Sequence, residues 1–240
     1  LKEGQEVQKQ FGDLSTSLTP HAPYSVSREL LRLITRAEQE SDLPISIHNQ
    51  ESQAENEFFR YKTGAFVAFY EWLDRDISYF KSHSKSSLQS IIPFLPKNRP
   101  VQLVHNTFTS SKDASYVHRV NRHVYWCLCP SANLYIEGTL PKLFNILYID
   151  QPLTIGTDSL ASNDRLCILS ELKVLHAQYP DLKLPDMIKW ATWNGAELLG
   201  ITQRYGSIAP GKQPGLNLLQ HTDGLSLTPE TTVIRLIYRL

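Results

Sequence analysis

His48 and Glu51 stand three residues apart, where the apolar, β-favouring run 43–47 gives way to a polar cluster, His48-Asn49-Gln50-Glu51-Ser52. An imidazole can ligate a metal, and a carboxylate one short step beyond it can carry protons between a water and a leaving group. The spacing is common, so the pair also reads as the solvated end of a strand. Other positions share the setting: His21 after Pro20, His105 after "PVQLV", Ser131 and Asn133 after Pro130, and Asp158 after Thr157. Metal-assisted activation of water needs neutral imidazoles and carboxylates around an open coordination position. His48 and Asp158 are suitable donors, and Asp158 can also take a proton. His105 suits stabilisation of charge on the attacked atom or the holding of a water. Each has a plain structural reading too: satisfied rim histidines, a solvated Glu51, and an Asp158 that caps the helix after it.

Elements of the right kind must bring these positions together. Candidate strands are "STSLT" (15–19), "LPISI" (43–47), "PVQLV" (100–104), "HVYWCLC" (123–129) and "QPLTIG" (151–156). Segments of helical period lie between and after them: 27–41 behind a Ser27 cap, 163–180 stopped by Pro180, and 184–200 ending in Gly200. Residues 57–98 are long for one crossover and are expected to hold two or more helices that help cover a site. Phe66, Phe69, Tyr70 and Trp72 lie there, and their spacing reads as helix core before it reads as a stacking surface. Short strands alternating with longer helices predict an α/β fold with parallel strands and crossover helices. Five successive strands ending in polar groups predict a (β/α)₈ barrel whose mouth collects them. Residues 205–220 turn to a Gly- and Pro-punctuated β pattern, which predicts that the chain leaves the α/β body for a smaller β element.

Composition narrows the partners. The chain has 240 residues, 41% hydrophobic and 20% charged, as in an ordinary globular protein. Its 24 basic and 24 acidic residues cancel, so no overall field favours nucleic acid or an anionic membrane surface. No apolar run approaches the roughly 18 residues of a membrane span, and "LKEGQEVQKQ" has no signal-peptide core, so a cytoplasmic protein is expected. Cys127, Cys129 and Cys167 form no zinc-ribbon or C-x-x-C spacing. Cys127 and Cys129 point the same way along one strand and read as small buried hydrophobes.

Eight stretches carry a resemblance: "TPHAPYSVS" (19–27), "SIHNQESQAE" (46–55), "LVHNTFTS" (103–110), "CPSANLYI" (129–136), "IGTDSLASN" (155–163), "LSELKVL" (169–175), "ATWNGAELLG" (191–200) and "GSIAPGKQPGLNLL" (206–219). In this order they resemble the amidohydrolase superfamily, in its branch of cytosine deaminase-like, triazine chlorohydrolase-like and adenosylhomocysteine deaminase enzymes. Each motif is weak alone; the order makes the set specific. The resemblance implies a TIM barrel of the metal-dependent hydrolase type beside a small β-sandwich, and a hydrolase of non-peptide C–N bonds. The reaction expected first is deamination of a purine- or pyrimidine-like heterocycle, with a chlorohydrolase or amidase of the same fold as the alternative. It also implies one divalent metal, Zn²⁺ or Fe²⁺, a small heterocyclic substrate, and a homodimer or larger homo-oligomer. By position, His48 is implied as a metal ligand, Glu51 as proton shuttle, His105 as the second catalytic histidine, Asp158 as metal-bound aspartate and general base, and His21 as a substrate contact. Ser131 and Asn133 match a mouth motif without assigned chemistry.

One departure stands out. The superfamily's His-x-His pair has no counterpart, since none of the eight histidines lie two apart. With five strands counted, the expectation is an incomplete barrel of about strands four to eight in residues 1–203, followed by a piece of the β-sandwich in 204–240. Such a fragment is expected to be inactive alone and to hold metal weakly. A metal-free relative with a binding or structural role is the reading from another class.

Overall fold

The computed structural model describes residues 1–237 and divides the chain into two compact units, Leu1–Trp126 with Thr139–Gln151, and Cys127–Gly138 with Pro152–Leu240. In the first unit, α1 (Lys2–Gln10) precedes an extended segment, a short 3₁₀ turn (Pro23–Ser25) and α2 (Arg28–Ala37). Ser27 caps α2 as its sequence predicts, accepting from the Leu30 N–H at 3.1 Å, and Leu31 and Ile34 form the buried stripe. Strand β1 (Ile45–Asn49) then leads through α3 (Gln53–Tyr61), α4 (Ala65–Trp72) and α5 (Ser87–Ile91) to β2 (Val101–His105). The two strands are parallel, with His48 opposite Val104 and Asn49 opposite His105. Parallel neighbours need a crossover of this kind, so the three helices occupy the connection that the length of 57–98 implied.

The expected strand at 15–19 is not a β-strand. Its segment runs beside β1 but is held by side chains. The Thr19 hydroxyl accepts from the Ser46 N–H at 2.8 Å and donates to the Ser46 carbonyl at 2.6 Å, and the Ser17 hydroxyl donates to the Pro44 carbonyl. The Leu18 N–H goes to the Glu38 carboxylate at 2.9 Å. These side chains satisfy groups that a regular ladder would pair, until the His48 N–H meets the His21 carbonyl at 3.0 Å.

After β2 come α6 (Ser111–Val120) and β3 (Val124–Leu128), the next neighbour of β2. All five β3 residues are buried, so alternation does not sort them into an inner and a solvated face. The second unit holds α7 (Pro130–Glu137), and in the first unit α8 (Phe144–Leu147) follows. Strand β4 (Leu153–Ile155) lies beside the end of β3, with the Gly156 N–H donating to the Leu128 carbonyl at 2.9 Å. A Cβ on Gly156 would stand 3.0 Å from Cys127 Sγ and 3.2 Å from Cys129 Sγ, so both thiols do face one way, onto a bare backbone.

Helix α9 (Ile168–Gln178) starts five residues later than its sequence pattern, because Asn163 is committed to a turn after β4. The single helix expected over 184–200 is two, α10 (Leu184–Ala191) and α11 (Trp193–Leu198), broken at Thr192 with φ −132° and ψ −78°. Gly200 then takes φ +68°, as a helix terminator does. The tail forms β5 (Leu216–Gln220) antiparallel to β6 (Thr232–Ile237), the β element that its turn-rich pattern predicts. Among the described residues no helix is long and apolar enough to cross a membrane.

Candidate active site

Three of the five site residues read from the sequence meet in the first unit. One ligand atom each of His48, Glu51 and His105 lies within 4.8 Å of the others. His105 Nε2 is 3.5 Å from Glu51 Oε1, and the His48 and His105 rings are 5.0 Å apart by centroid. His21 joins them edge-on, 4.6 Å from the His48 ring. The parallel register of β1 and β2 makes this possible, because it ends both strands side by side with their last residues paired.

Backbone geometry turns the strand ends into a site. Gln50, His105 and Asn106 all have positive φ, +46°, +74° and +60°. Non-glycine residues rarely hold this conformation, and the surrounding bonds must enforce it. Asn106 supplies two of them, accepting from Asn49 Nδ2 at 3.0 Å and donating to the Leu103 carbonyl at 2.8 Å. Gln50 is fixed by its own amide, which donates to Asn56 at 2.9 Å and accepts from the Thr109 hydroxyl at 2.7 Å. His105, Asn106, Asn49 and Gln50 are all fully buried.

Glu55 completes this frame. Its carboxylate accepts the Gln50 N–H at 2.9 Å and the Glu51 N–H at 3.3 Å, so it grips the turn that carries Glu51. Burial pushes its carboxyl up to about 7, and the Ser87 side chain, followed by the two N–H groups, pulls it back only in part. The sequence carries a signal for Glu55, since Ser52-x-x-Glu55 has the capping-box pattern. Ser52 does cap α3, accepting from the Glu55 N–H at 3.2 Å, but the Glu55 side chain turns to the site loop instead of back to residue 52.

Asp158 lies in the second unit, in the loop after β4, half-buried and at φ +56°. The Ser162 hydroxyl donates to its Oδ2 at 2.7 Å. It does not cap the next helix: α9 is capped at Cys167, without a side-chain bond. Ser131 and the buried Asn133 sit in the first turn and a half of α7 in the same unit.

The aromatic residues of α4 divide: Phe69 and Trp72 are exposed, whereas Phe66 and Tyr70 are half-buried. That helix has no buried residue, and Trp72 is 77% exposed. Phe66 and Tyr70 pack inward on Tyr24 and Phe58, and the Tyr70 hydroxyl bonds the Tyr24 carbonyl. A cavity of about 240 Å³ opens among Tyr24, Phe58, Phe59, Tyr70 and Phe80, and none of His21, His48, Glu51 or His105 lines it. Tyr24 is the nearest link between the two: its hydroxyl is pushed up by burial and then by the Glu51 and Glu55 carboxylates.

His48, Glu51 and His105 bring two imidazoles and a carboxylate within 4.8 Å of one another, a grouping of the kind from which a divalent metal of the zinc type draws ligands and beside which a proton carrier is needed. Comparison with known proteins agrees in kind. The family model described as "Amidohydrolase family" matches residues 1–235. Adenosine deaminase of Helicobacter pylori is 27% identical over 227 residues, covering 93% of this chain and 54% of that protein. The solved aminofutalosine deaminase of Helicobacter pylori in complex with methylthio-coformycin superposes with a TM-score of 0.77 at 22% identity, over 93% of this chain and 56% of the other. An adenosine deaminase from Xanthomonas campestris with bound zinc gives 0.67 at 24% identity, over 89% and 46%. The chain thus spans about half the length of the curated relatives it matches, and it shares their fold.

Proposed function

The chain belongs to the amidohydrolase family, and from that premise we propose that it serves a metal-dependent hydrolase that deaminates a purine- or pyrimidine-like heterocycle. The observation that carries the reading is the convergence of His48, Glu51 and His105 within 4.8 Å, with His21 edge-on to His48. In this reading His48 and Asp158 would hold the metal, which would supply a water of lowered pKa at neutral pH. Glu51 moves the proton, first to a ring nitrogen and then to the departing amine. His105, 3.5 Å from Glu51 and fully buried, holds charge beside the attacked carbon. His21 is the only exposed member of the group and is placed to touch the ring of an arriving substrate.

Residues 1–203 supply an incomplete TIM barrel, about strands four to eight, and 204–240 a β element of an accessory sandwich. The segment beside β1 takes the place of the first of these strands, a view that rests on the Thr19 and His21 bonds to β1. The same reading, through the resemblance to the superfamily, takes the protein to be cytoplasmic and a homodimer or larger homo-oligomer.

Ammonia release from a panel of aminopurines, aminopyrimidines and aminotriazines by the zinc-loaded full-length protein tests the reading. Release from at least one of these compounds, lost in Glu51→Gln, is expected. Chloride release from a chlorotriazine with no ammonia from any amine would move the assignment to a chlorohydrolase. Release of neither would favour the metal-free binding relative.

A further inference from the structure

Glu171 lies in the first turn of α9, yet its side chain is fully buried within the second unit. A carboxylate taken out of water is unfavourable unless donors replace its hydration. Two do. The Ser131 N–H donates to Oε2 at 2.8 Å, and Asn163 Nδ2 donates to Oε1 at 2.7 Å. The same Asn163 nitrogen gives its other hydrogen to the Thr157 carbonyl at 2.7 Å, so both of its donors are used. Thr157 immediately precedes Asp158, which leaves the strand at φ +56° with its Oδ2 bonded to Ser162.

We propose that Glu171 is a positioning residue. One buried carboxylate ties the start of α7 to the loop after β4 and, through Asn163, sets the direction in which Asp158 points. The inference rests on the reading of Asp158 as a reacting-site residue. A carboxylate at a helix N-terminus can also serve stability alone, through the helix dipole. That role would not require the side chain to be buried, nor to hold a neighbouring turn and an amide that grips the residue before Asp158.

Glutamine at 171 keeps the size but only one acceptor oxygen, and it turns an NH₂ toward one of the two donors. Asn163→Ala cuts the outer arm alone and leaves the Ser131 bond in place, so it serves where Glu171→Gln fails to fold. Both variants, made in the full-length protein, are compared with the unaltered one by amide hydrogen exchange, by titration with Zn²⁺ alone, and by kcat and KM on the panel compound turned over fastest.

The expected result is exchange across 157–163 roughly tenfold faster in both variants. Exchange at Ser131 rises only in Glu171→Gln, and amides of β1 stay unchanged. Zinc retention weakens, and kcat falls by about 10²-fold at nearly constant KM, as a small misplacement of a reacting group produces. Unchanged exchange at 157–163 in both variants overturns the brace. Faster exchange with unaltered zinc retention and kcat overturns the positioning role. An Asp158→Ala protein with full zinc and turnover overturns the reading of Asp158, and the positioning role with it, while the exchange data still report whether the brace exists.

Discussion

His105 Nε2 and Glu51 Oε1 stand 3.5 Å apart, one at the end of β2 and the other just past the end of the parallel β1. His105 is fully buried, so solvent does little to screen the pair. Each therefore shapes the environment in which the other would exchange a proton or hold charge.

That proximity predicts non-additive kinetics. Glu51→Gln and His105→Gln should each lower kcat by about 10²- to 10⁴-fold, the usual range for a lost acid–base group. The double variant should be little worse than the poorer single one, because the proton that Glu51 moves and the charge that His105 holds belong to the same step. Steady-state kinetics of all four proteins checks this; fully multiplicative losses would mean that the residues work independently.

Metal content separates ligands from proton carriers. His48→Ala and Asp158→Ala should lose both tight zinc and turnover, whereas Glu51→Gln should keep the metal and lose turnover. Elemental analysis after gel filtration reads this directly. Stoichiometric zinc in Asp158→Ala would sink its assignment as a ligand.

Glu55 should make stability fall as pH rises through the weakly acid range. Its carboxyl titrates near 4.5 when unfolded and is pushed up to about 7 by burial in the fold. Between these values the native state holds a proton that the unfolded chain has released, so raising the pH favours unfolding. The change is on the order of 3 kcal/mol across that window. Glu55→Gln should flatten this slope, measured as denaturant midpoints from pH 4.5 to 8. An unchanged slope would place the titration elsewhere.

The Asn106 frame should be costly to remove. Asn106→Ala loses two buried amide bonds and puts a less tolerant residue at φ +60°, for a loss of about 2–4 kcal/mol. Asn106→Gly relieves the backbone but not the bonds, so it should recover only about 1 kcal/mol of that loss. Urea denaturation of the three proteins separates the two contributions.

Where a local rule decides the outcome, the sequence is sufficient. The four apolar runs from 43 to 156 became β1 to β4, since short β-branched and aromatic segments between polar breaks have few other uses. Ser27 before a helical stripe became the cap of α2. The grouping of His48, Glu51 and His105 was legible because parallel strands end together. The segment at 15–19 was not, because the Thr19 hydroxyl and the Glu38 carboxylate replaced ladder bonds, and that competition is set by tertiary neighbours. Thr192 likewise interrupts a pattern whose periodicity runs straight through it. Glu55 and Glu171 escaped notice for another reason. Helical spacing puts an acid in a first turn on the solvent side by default, and only the fold shows these two turned inward.

The bare backbone at Gly156 constrains its neighbours. Two sulfur atoms, of Cys127 on β3 and of Cys129 just past its end, crowd the place where a Cβ would stand, at 3.0 and 3.2 Å. A methyl at 156 would force both thiols to give by a few tenths of an ångström, and a larger residue at 127 or 129 would press on the strand that leads to Asp158. Replacements at these three positions are therefore coupled: a smaller residue at 127 or 129 eases what a side chain at 156 would cost.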